Sequence, residues 1–375
     1  MCSAKNTIVI IHKLPIEFYP PVTNFIDYLS NNKKLDIHVF STKNNKNRKV
    51  YSAENVSIER TDAVYKQNIL FRFLKSIRDY FKVTYKILSL QPDVIIYYES
   101  SSAGLALLPI LYKRKTKLCV INHEYFAPAW YKNTASKIIR INHFFEKRFL
   151  FKRARFITQT NDDRKDLFLK DHKYLSEDKI QIMPNYPTKD WIVSKKSKKN
   201  PLVLKTVYIG TLSLEYSYVE EYCNWVINQK GSVTLDLYSY NLNETTESYI
   251  SKLNSPFIKL IKGGVEYNDI PKVLKLYDVG LVLYKAITIN YKYNAPNKVF
   301  EHLACGLDVW ASNKLITVNR YLKTQSFPKI IQIDFEKLKD FDWQNAYDKS
   351  NYDYLASPYF YESVYSGIYS EITNE

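Results

Sequence analysis

Residues 293–312 read YNAPNKVFEHLACGLDVWAS. A polar turn at Asn294 and Ala295 runs into Pro296, whose fixed φ suits the first turn of a helix. Gly306 supplies a C-terminal stop, so the pattern predicts a helix over 296–305. Val299, Phe300, Leu303 and Ala304 make one apolar face, and Lys298 and Glu301 lie on another. Val309, Trp310 and Ala311 follow as a short buried strand. A helix N-terminus that carries a lysine, with a carboxylate one turn deeper, can grip a nucleotide. Free N–H groups and Lys298 would meet a diphosphate, and Glu301 would accept hydrogen bonds from a ribose diol. The competing assignment is a solvated Lys298–Glu301 ion pair worth about 0.2–0.5 kcal/mol.

Composition bounds the rest. A chain of 375 residues is long enough for about two to three domains, each with its own core. Cys2, Cys119, Cys223 and Cys305 are far apart and match no metal or redox spacing. Cys119 and Cys305 sit in apolar runs and read as buried thiols, which suits a reducing cytoplasm. The longest apolar runs, such as AGLALLPILY at 103–112, fall short of a membrane span. The chain enters a strand pattern at TIVIIH, so no secretory leader is expected. The formal charge of +16 makes nucleic acid, anionic lipid or phosphorylated substrates the candidate partners.

Short apolar strands alternate with amphipathic segments along the first half. Strands are expected at 7–12, 35–41, 93–99, 117–122, 155–159 and 179–183, and helices at 21–31, 66–90, 101–114, 134–152 and 161–170. The first turn, HKLPIEFYPP, has no glycine, so the dinucleotide fingerprint is absent there. Residues 188–201, TKDWIVSKKSKKNP, are polar and lysine-rich and read as a linker. A second series follows, with strands at 203–210, 233–239, 257–262, 279–284 and 308–312. Its helices fall at 217–229, 244–254, 268–276 and 296–305. Such alternation predicts an α/β chain of two doubly wound, Rossmann-like domains facing a central cleft. The expected boundaries are 1–187, a linker at 188–201, 202–335, and a helical segment at 336–375, for which packing back on the first domain is one arrangement. Ligand residues should come from turns just after strands, where Glu124, Asn185, Thr211, Gly263 and Lys285 fall.

Several pieces in this order resemble the GT-B glycosyltransferases, especially their large retaining family (family 4-like, group 1). PNKVFEHLACG is similar to the family's nucleotide helix and IMPNYP at 182–187 to its turn into the second domain. VYIGTLS at 207–213, with Gly210 and Thr211, resembles the opening strand of that domain. ITQTNDDRKDLF at 157–168 and GGVEYNDIPKVLKLYDVGLVLY at 263–284 also match in place. The resemblance implies an N-terminal domain for the acceptor and a C-terminal domain for the nucleotide sugar. It implies that Glu301 holds the ribose, that Asn297 and Lys298 face the diphosphate, and that main-chain atoms near Val265 and Glu266 border the base. Two positions depart from the family. A second glutamate is replaced by Tyr293, and the Arg/Lys pair after the first strand of the second domain is missing, since 211–218 reads TLSLEYSY. Lys298 and Lys285 are then the substitute cations.

Leaving-group charge on a nucleoside diphosphate must be met by cations and amides aimed in advance. No Asp-x-Asp motif follows a strand, so transfer without a metal or cofactor is expected, from a UDP- or GDP-type donor. His123, in NHEYF at 122–126, matches a position where retaining relatives carry a histidine beside the donor sugar. Such a group can take the acceptor proton or bond the sugar; the alternative is a structural histidine. Glu124 is either a base or a residue shaping the acceptor site, and Glu17 is a weaker candidate. Segment 132–155 holds eight Lys/Arg against one Glu, and 66–86 holds six against one Asp, both interleaved with apolar residues. These are faces for an anionic membrane or ordinary solvated helix faces. The resulting expectation is a cytoplasmic hexosyltransferase-type enzyme, peripheral on the inner membrane face, acting on a glycan or lipid-linked acceptor in surface polysaccharide synthesis. The alternatives are a sugar-nucleotide epimerase on the same fold and a basic nucleic-acid-binding module. Buried parallel sheets disfavour the nucleic-acid module, so no nucleic-acid partner is expected.

Overall fold

The computed structural model describes residues 6–44, 49–62, 69–194 and 201–373, with backbone alone over 69–73. In the first half β1 (Asn6–Ile11) is followed by α1 (Pro20–Ser30), β2 (Leu35–Thr42), β3 (Val56–Thr61), α2 (Ile69–Leu90), β4 (Val94–Tyr98) and α3 (Glu99–Tyr112). Then come β5 (Lys117–Ile121), α4 (Pro128–Asn133), α5 (Lys137–Phe145), α6 (Phe151–Arg153), β6 (Phe156–Gln159), α7 (Asp162–Asp171) and β7 (Ile180–Ile182). A π-helical turn, Glu146–Leu150, joins α5 to α6. The seven strands form one parallel sheet in the order β3-β2-β1-β4-β5-β6-β7. Ile8, Val9, Ile10 and Ile11 are fully buried in succession, as a strand covered on both faces requires.

The second half repeats the scheme with β8 (Leu204–Ile209), α8 (Val219–Asn228), β9 (Val233–Ser239), α9 (Glu244–Lys252), β10 (Ile258–Lys262), α10 (Ile270–Leu274) and β11 (Val279–Val282). It continues through α11 (Ile289–Lys292), α12 (Asn297–Ala304), β12 (Asp308–Ser312), β13 (Ile330–Ile333), α13 (Trp343–Tyr347) and α14 (Tyr361–Thr373). Six strands make a second parallel sheet, β10-β9-β8-β11-β12-β13. Two sheets of this kind are the expected doubly wound architecture. Strands β3 and β13 lie outside the sequence expectation. β3 reads VSIERT and is an edge strand with no buried residue, so no apolar run marks it.

Two compact units result: residues 1–184 with 362–375, and residues 185–361. Within the first unit α14 packs on α1 and the sheet. Tyr365 lies 5.0 Å from Phe25, Lys117 Nζ donates to the Ile372 carbonyl at 3.0 Å, and Arg155 pairs with Glu371 at 2.8 Å. Of the stretch 188–201, residues 188–194 belong to the second unit, and 195–200 lie outside the described residues. Trp191 is buried there against Tyr267, and the Val193 amide bonds the Ala304 carbonyl. Among the described residues no helix is long and apolar enough to cross a membrane.

α12 sits deep in the second unit, with Val299, Phe300, Leu303 and Ala304 fully buried as their spacing predicts. His302 is buried too, and burial lowers its pKa to about 3, so it is neutral. Its ring lies over Gly280 of β11, where a Cβ would stand 2.1 Å from Nδ1. Ring and strand are both buried, so Gly280→Ala should destabilise the second unit by about 1–3 kcal/mol through overpacking. In urea melts the double variant Gly280→Ala/His302→Ala should lose less than the two single losses summed. Simple additivity would show that this contact does not limit the packing.

Candidate functional site

Strand order reverses once in each sheet, between β1 and β4 and between β8 and β11. The carboxyl ends of the strands at such a reversal are where doubly wound sheets take ligands. In the second unit Gly210 follows β8 with φ +148°, and a Cβ there would lie 2.7 Å from Lys298 Cε and 2.9 Å from Nζ. Glycine at 210 therefore lets the backbone lie against the ammonium. Lys298 Nζ donates to the Tyr284 hydroxyl at 3.0 Å and sits over the Tyr284 and Tyr208 rings at 5.4 and 5.7 Å. Burial works to lower its pKa, but the Tyr284 and Tyr208 oxygens and Glu301 outweigh that and hold it above the ordinary lysine range.

Glu301 is 5% exposed, and its Oε1 accepts from Asn297 Nδ2 at 2.7 Å. Burial raises its pKa, while Lys298 and the Asn297 bond work in the other direction. A solvated surface pair is thus not what forms: Lys298 turns to Tyr284 and Glu301 to Asn297. Pro296, with ψ 145°, is the N-cap of α12, and no side chain caps the first amides. A cation, uncapped helix amides and a buried carboxylate are gathered within one turn of helix beside Gly210. That set suits an anion next to a hydroxylated group.

The other expected residues of this unit are placed differently. Lys285 Nζ pairs with Glu221 at 3.0 Å, donates to the Leu214 carbonyl at 3.1 Å and lies over Tyr218, so it is tied to α8. Thr211 is exposed, and its carbonyl accepts from the Tyr208 hydroxyl. Val265 and Glu266 lie in the turn after β10, Val265 half-buried against the Trp191 cluster and Glu266 exposed. Tyr293 ends the short α11, its amide bonded to the Ile289 carbonyl.

In the first unit His123 and Glu124 are half-buried at the carboxyl end of β5. Their main chain is clamped from two sides. Glu99 Oε1 accepts both amides, at 2.7 and 3.0 Å, while Arg164 of α7 donates to the His123 carbonyl at 2.7 Å and to Glu124 Oε2 at 3.1 Å. Tyr98 stacks on the His123 ring at 5.2 Å and meets His12, at the end of β1, edge-on at 5.4 Å. His12 is neutral, burial having lowered its pKa to about 4. Glu17 forms an ion pair with Arg60 at 2.8 Å, and its charge works weakly against the burial that keeps His12 neutral.

Glu99 and Arg164 are the residues that sequence reading passed over. Glu99 follows β4, which ends at Tyr98, one residue earlier than the strand expected at 93–99, and so stands after its strand just as Glu124 does. It has φ +59°, a left-handed conformation costly for a glutamate and typical of functional sites. Burial, then the Glu124 and Glu146 charges, push its pKa up to about 8 against the pull of the two amides.

No family model and no curated protein sequence matches this chain. Solved structures match over its full length. HepE of Anabaena, crystallised in complex with UDP and glucose, is 11% identical over 99% of this chain and 100% of its own, with a TM-score of 0.68. The lipopolysaccharide outer core galactosyltransferase WaaB, in its apo form, is 12% identical over 98% and 97%, at 0.62. The UDP-GlcNAc 2-epimerase of Neisseria meningitidis, bound to UDP-GlcNAc, is 12% identical over 99% and 100%, at 0.58. Identities this low establish the fold, which is GT-B: two Rossmann-like domains.

An acid whose folded pKa lies above its unfolded value adds stability that is complete below the unfolded pKa and is lost as pH rises through the folded one. For Glu99 that window runs from about 4.5 to about 8. Denaturant melts of the wild type against Glu99→Gln, which keeps an acceptor for both amides, should show a shallower fall in stability across this window in the variant. Parallel curves would mean that Glu99 titrates as it does in the unfolded chain.

Proposed function

We propose that this chain is a glycosyltransferase that moves a sugar from a nucleoside-diphosphate donor of the UDP or GDP type, without a metal, to a glycan or lipid-linked acceptor. The observation that carries this reading is the grouping of Lys298, the α12 amides and Glu301 beside Gly210 at the strand reversal of the second sheet. The diphosphate would lie on Lys298 and the amides of Asn297 and Lys298, and Glu301 would take the ribose hydroxyls. When the bond from sugar C1 to the leaving phosphate oxygen breaks, the electron pair stays on that oxygen. A lysine already desolvated and still charged meets it without reorganising. The acceptor oxygen then bonds C1 and its proton leaves to a base. For a retaining outcome, His123 would serve the donor sugar and Glu124 the acceptor.

The fold is shared with HepE, crystallised with UDP and glucose, and with a galactosyltransferase of lipopolysaccharide, which supports the donor class and a role in surface polysaccharide. A membrane-bound acceptor is supported by the first unit, where Ile77, Phe81, Ile138, Ile141 and Phe144 are 39–61% exposed on the basic helices α2 and α5. That chemistry supports peripheral attachment to an anionic inner membrane face as part of this reading.

One observation favours an epimerase instead. Glu99 adds a second carboxyl to the His123–Glu124 pair, and epimerisation needs more acid–base groups than transfer does. Incubation with a panel of UDP- and GDP-sugars separates the two. A transferase without acceptor should slowly release nucleoside diphosphate and free sugar, whereas an epimerase should equilibrate two isomeric nucleotide sugars.

Glu301→Gln and Lys298→Ala should each weaken nucleoside diphosphate binding by about 10- to 100-fold, the loss of one charge-assisted hydrogen bond. The Lys298 effect should nearly vanish for the nucleoside alone. Calorimetric titration measures both, with thermal melts confirming that each variant is folded. Unaltered affinity in both variants would sink the assignment.

A further inference from the structure

We propose that Tyr284 and Tyr208 are positioning residues for the leaving diphosphate. They hold the Lys298 ammonium with lone pairs and ring faces alone, so that its whole charge stays available to phosphate oxygens. Both residues act through Lys298, and the proposal therefore rests on the reading of α12 as a diphosphate site.

Two lysines are held near the carboxyl end of β11, in different ways. Lys285 has a carboxylate partner, Glu221 at 3.0 Å, and its charge is spent inside the protein. Lys298 makes no ion pair among the described residues, and Glu301 on the same helix turns Oε1 to Asn297. What holds Lys298 is neutral. The Tyr284 hydroxyl oxygen accepts from Nζ at 3.0 Å, and the Tyr284 and Tyr208 rings lie within cation–π range. An ammonium has donors only, so each phenol can meet it with oxygen lone pairs or ring face but not with its proton. Tyr208 gives its own proton to the Thr211 carbonyl at 2.8 Å. A Cβ on Gly210 would stand 2.9 Å from Nζ and 3.7 Å from the Tyr208 hydroxyl, so ammonium and phenol border one point beside the glycine. Of the three ammonium protons one is used on Tyr284, which leaves two for a ligand.

The backbone fixes both phenols. Tyr208 is fully buried in β8. Tyr284 follows β11, and its chain is stitched to 216–218. It bridges Ser217, the Lys285 amide bonds the Tyr216 carbonyl at 3.0 Å, and the Tyr218 amide bonds the Leu283 carbonyl at 2.7 Å. A carboxylate in the place of Tyr284 would cancel the charge that a phosphate needs; two phenols fix the ammonium without cancelling it. The charged and titratable groups facing Lys298 are Tyr208 from β8, Tyr284 after β11, and Glu301 and His302 on its own helix, with Tyr291 of α11 next to Tyr284. Burial works against the ammonium, and the two phenols with Glu301 offset it.

The test is calorimetric titration of the whole protein with UDP and GDP, each beside its nucleoside, from about pH 7 to about pH 9, where an exposed lysine stays charged. Wild type, Tyr284→Phe, Lys298→Ala and the double variant are compared, with thermal melts confirming that each is folded. Tyr284→Phe keeps the ring and removes the oxygen. It should weaken diphosphate binding about tenfold at neutral pH, the loss of one hydrogen bond to a charged group. The loss should grow as pH rises, because burial then draws the proton off a lysine that the wild type keeps charged. Nucleoside binding should not change. In the Lys298→Ala background Tyr284→Phe should cost nothing further, since the hydroxyl acts through the ammonium. A loss equal at every pH, or one that persists without Lys298, would mean that Tyr284 acts by itself or on the packing, and overturns the proposal. If Lys298→Ala weakens the diphosphate while Tyr284→Phe binds as wild type does, the phenol proposal falls and the diphosphate site stands. If Lys298→Ala also binds as wild type does, both fall.

Discussion

The ammonium of Lys298 lies against the backbone of Gly210 and under the hydroxyl of Tyr284, in a place where an isolated charge would be costly. Much of the second unit serves to keep it there. The parallel sheet reverses between β8 and β11, which brings the glycine turn of one strand and the tyrosine after the other to the same point. α12 can bring Lys298 to that point because its other face is wedged into the core, down to the imidazole of His302 resting on Gly280. A charge so placed has already lost much of its hydration, so an anion that reaches it gains more than it would at a surface lysine.

The first unit applies a similar economy to main-chain groups. Glu99 and Arg164 hold the peptide of His123 and Glu124 from opposite sides, so the histidine and the carboxylate are presented by a backbone that has little freedom left. Glu99 accepts a strained φ to do this. Burial, and after it the charges of Glu124 and Glu146, disfavour its ionisation and push its pKa up to about 8. Aligned backbone clamps of this kind suit a site that must orient a proton acceptor.

The central strands of both sheets were legible because a strand covered on both faces is an unbroken apolar run; β1, β4, β5 and β12 all show it. β3 was not, since an edge strand needs no such run. Strand β13 is short, and its sequence IIQI stands among polar turns without the repeating helix spacing that marked its neighbours. The α12 helix was legible from Pro296 and Gly306, but its side-chain partners were not: sequence spacing pairs Lys298 with Glu301, and only tertiary structure supplies Tyr284 and Asn297 instead. Lys285 illustrates the reverse. Its position after a strand suggested a ligand role, while α8 supplies Glu221 to hold it. Glu99 was passed over because its own strand absorbed it, and Arg164 because a buried arginine is indistinguishable in sequence from an exposed one.

Hydrogen–deuterium exchange of the whole protein with and without a saturating nucleoside diphosphate tests the placement of the donor most directly. The account predicts slowed exchange at the amides of residues 210–212 and of the first turn of α12, with β1 to β3 unaffected. Bound nucleotide that leaves the start of α12 exchanging at its original rate would contradict it.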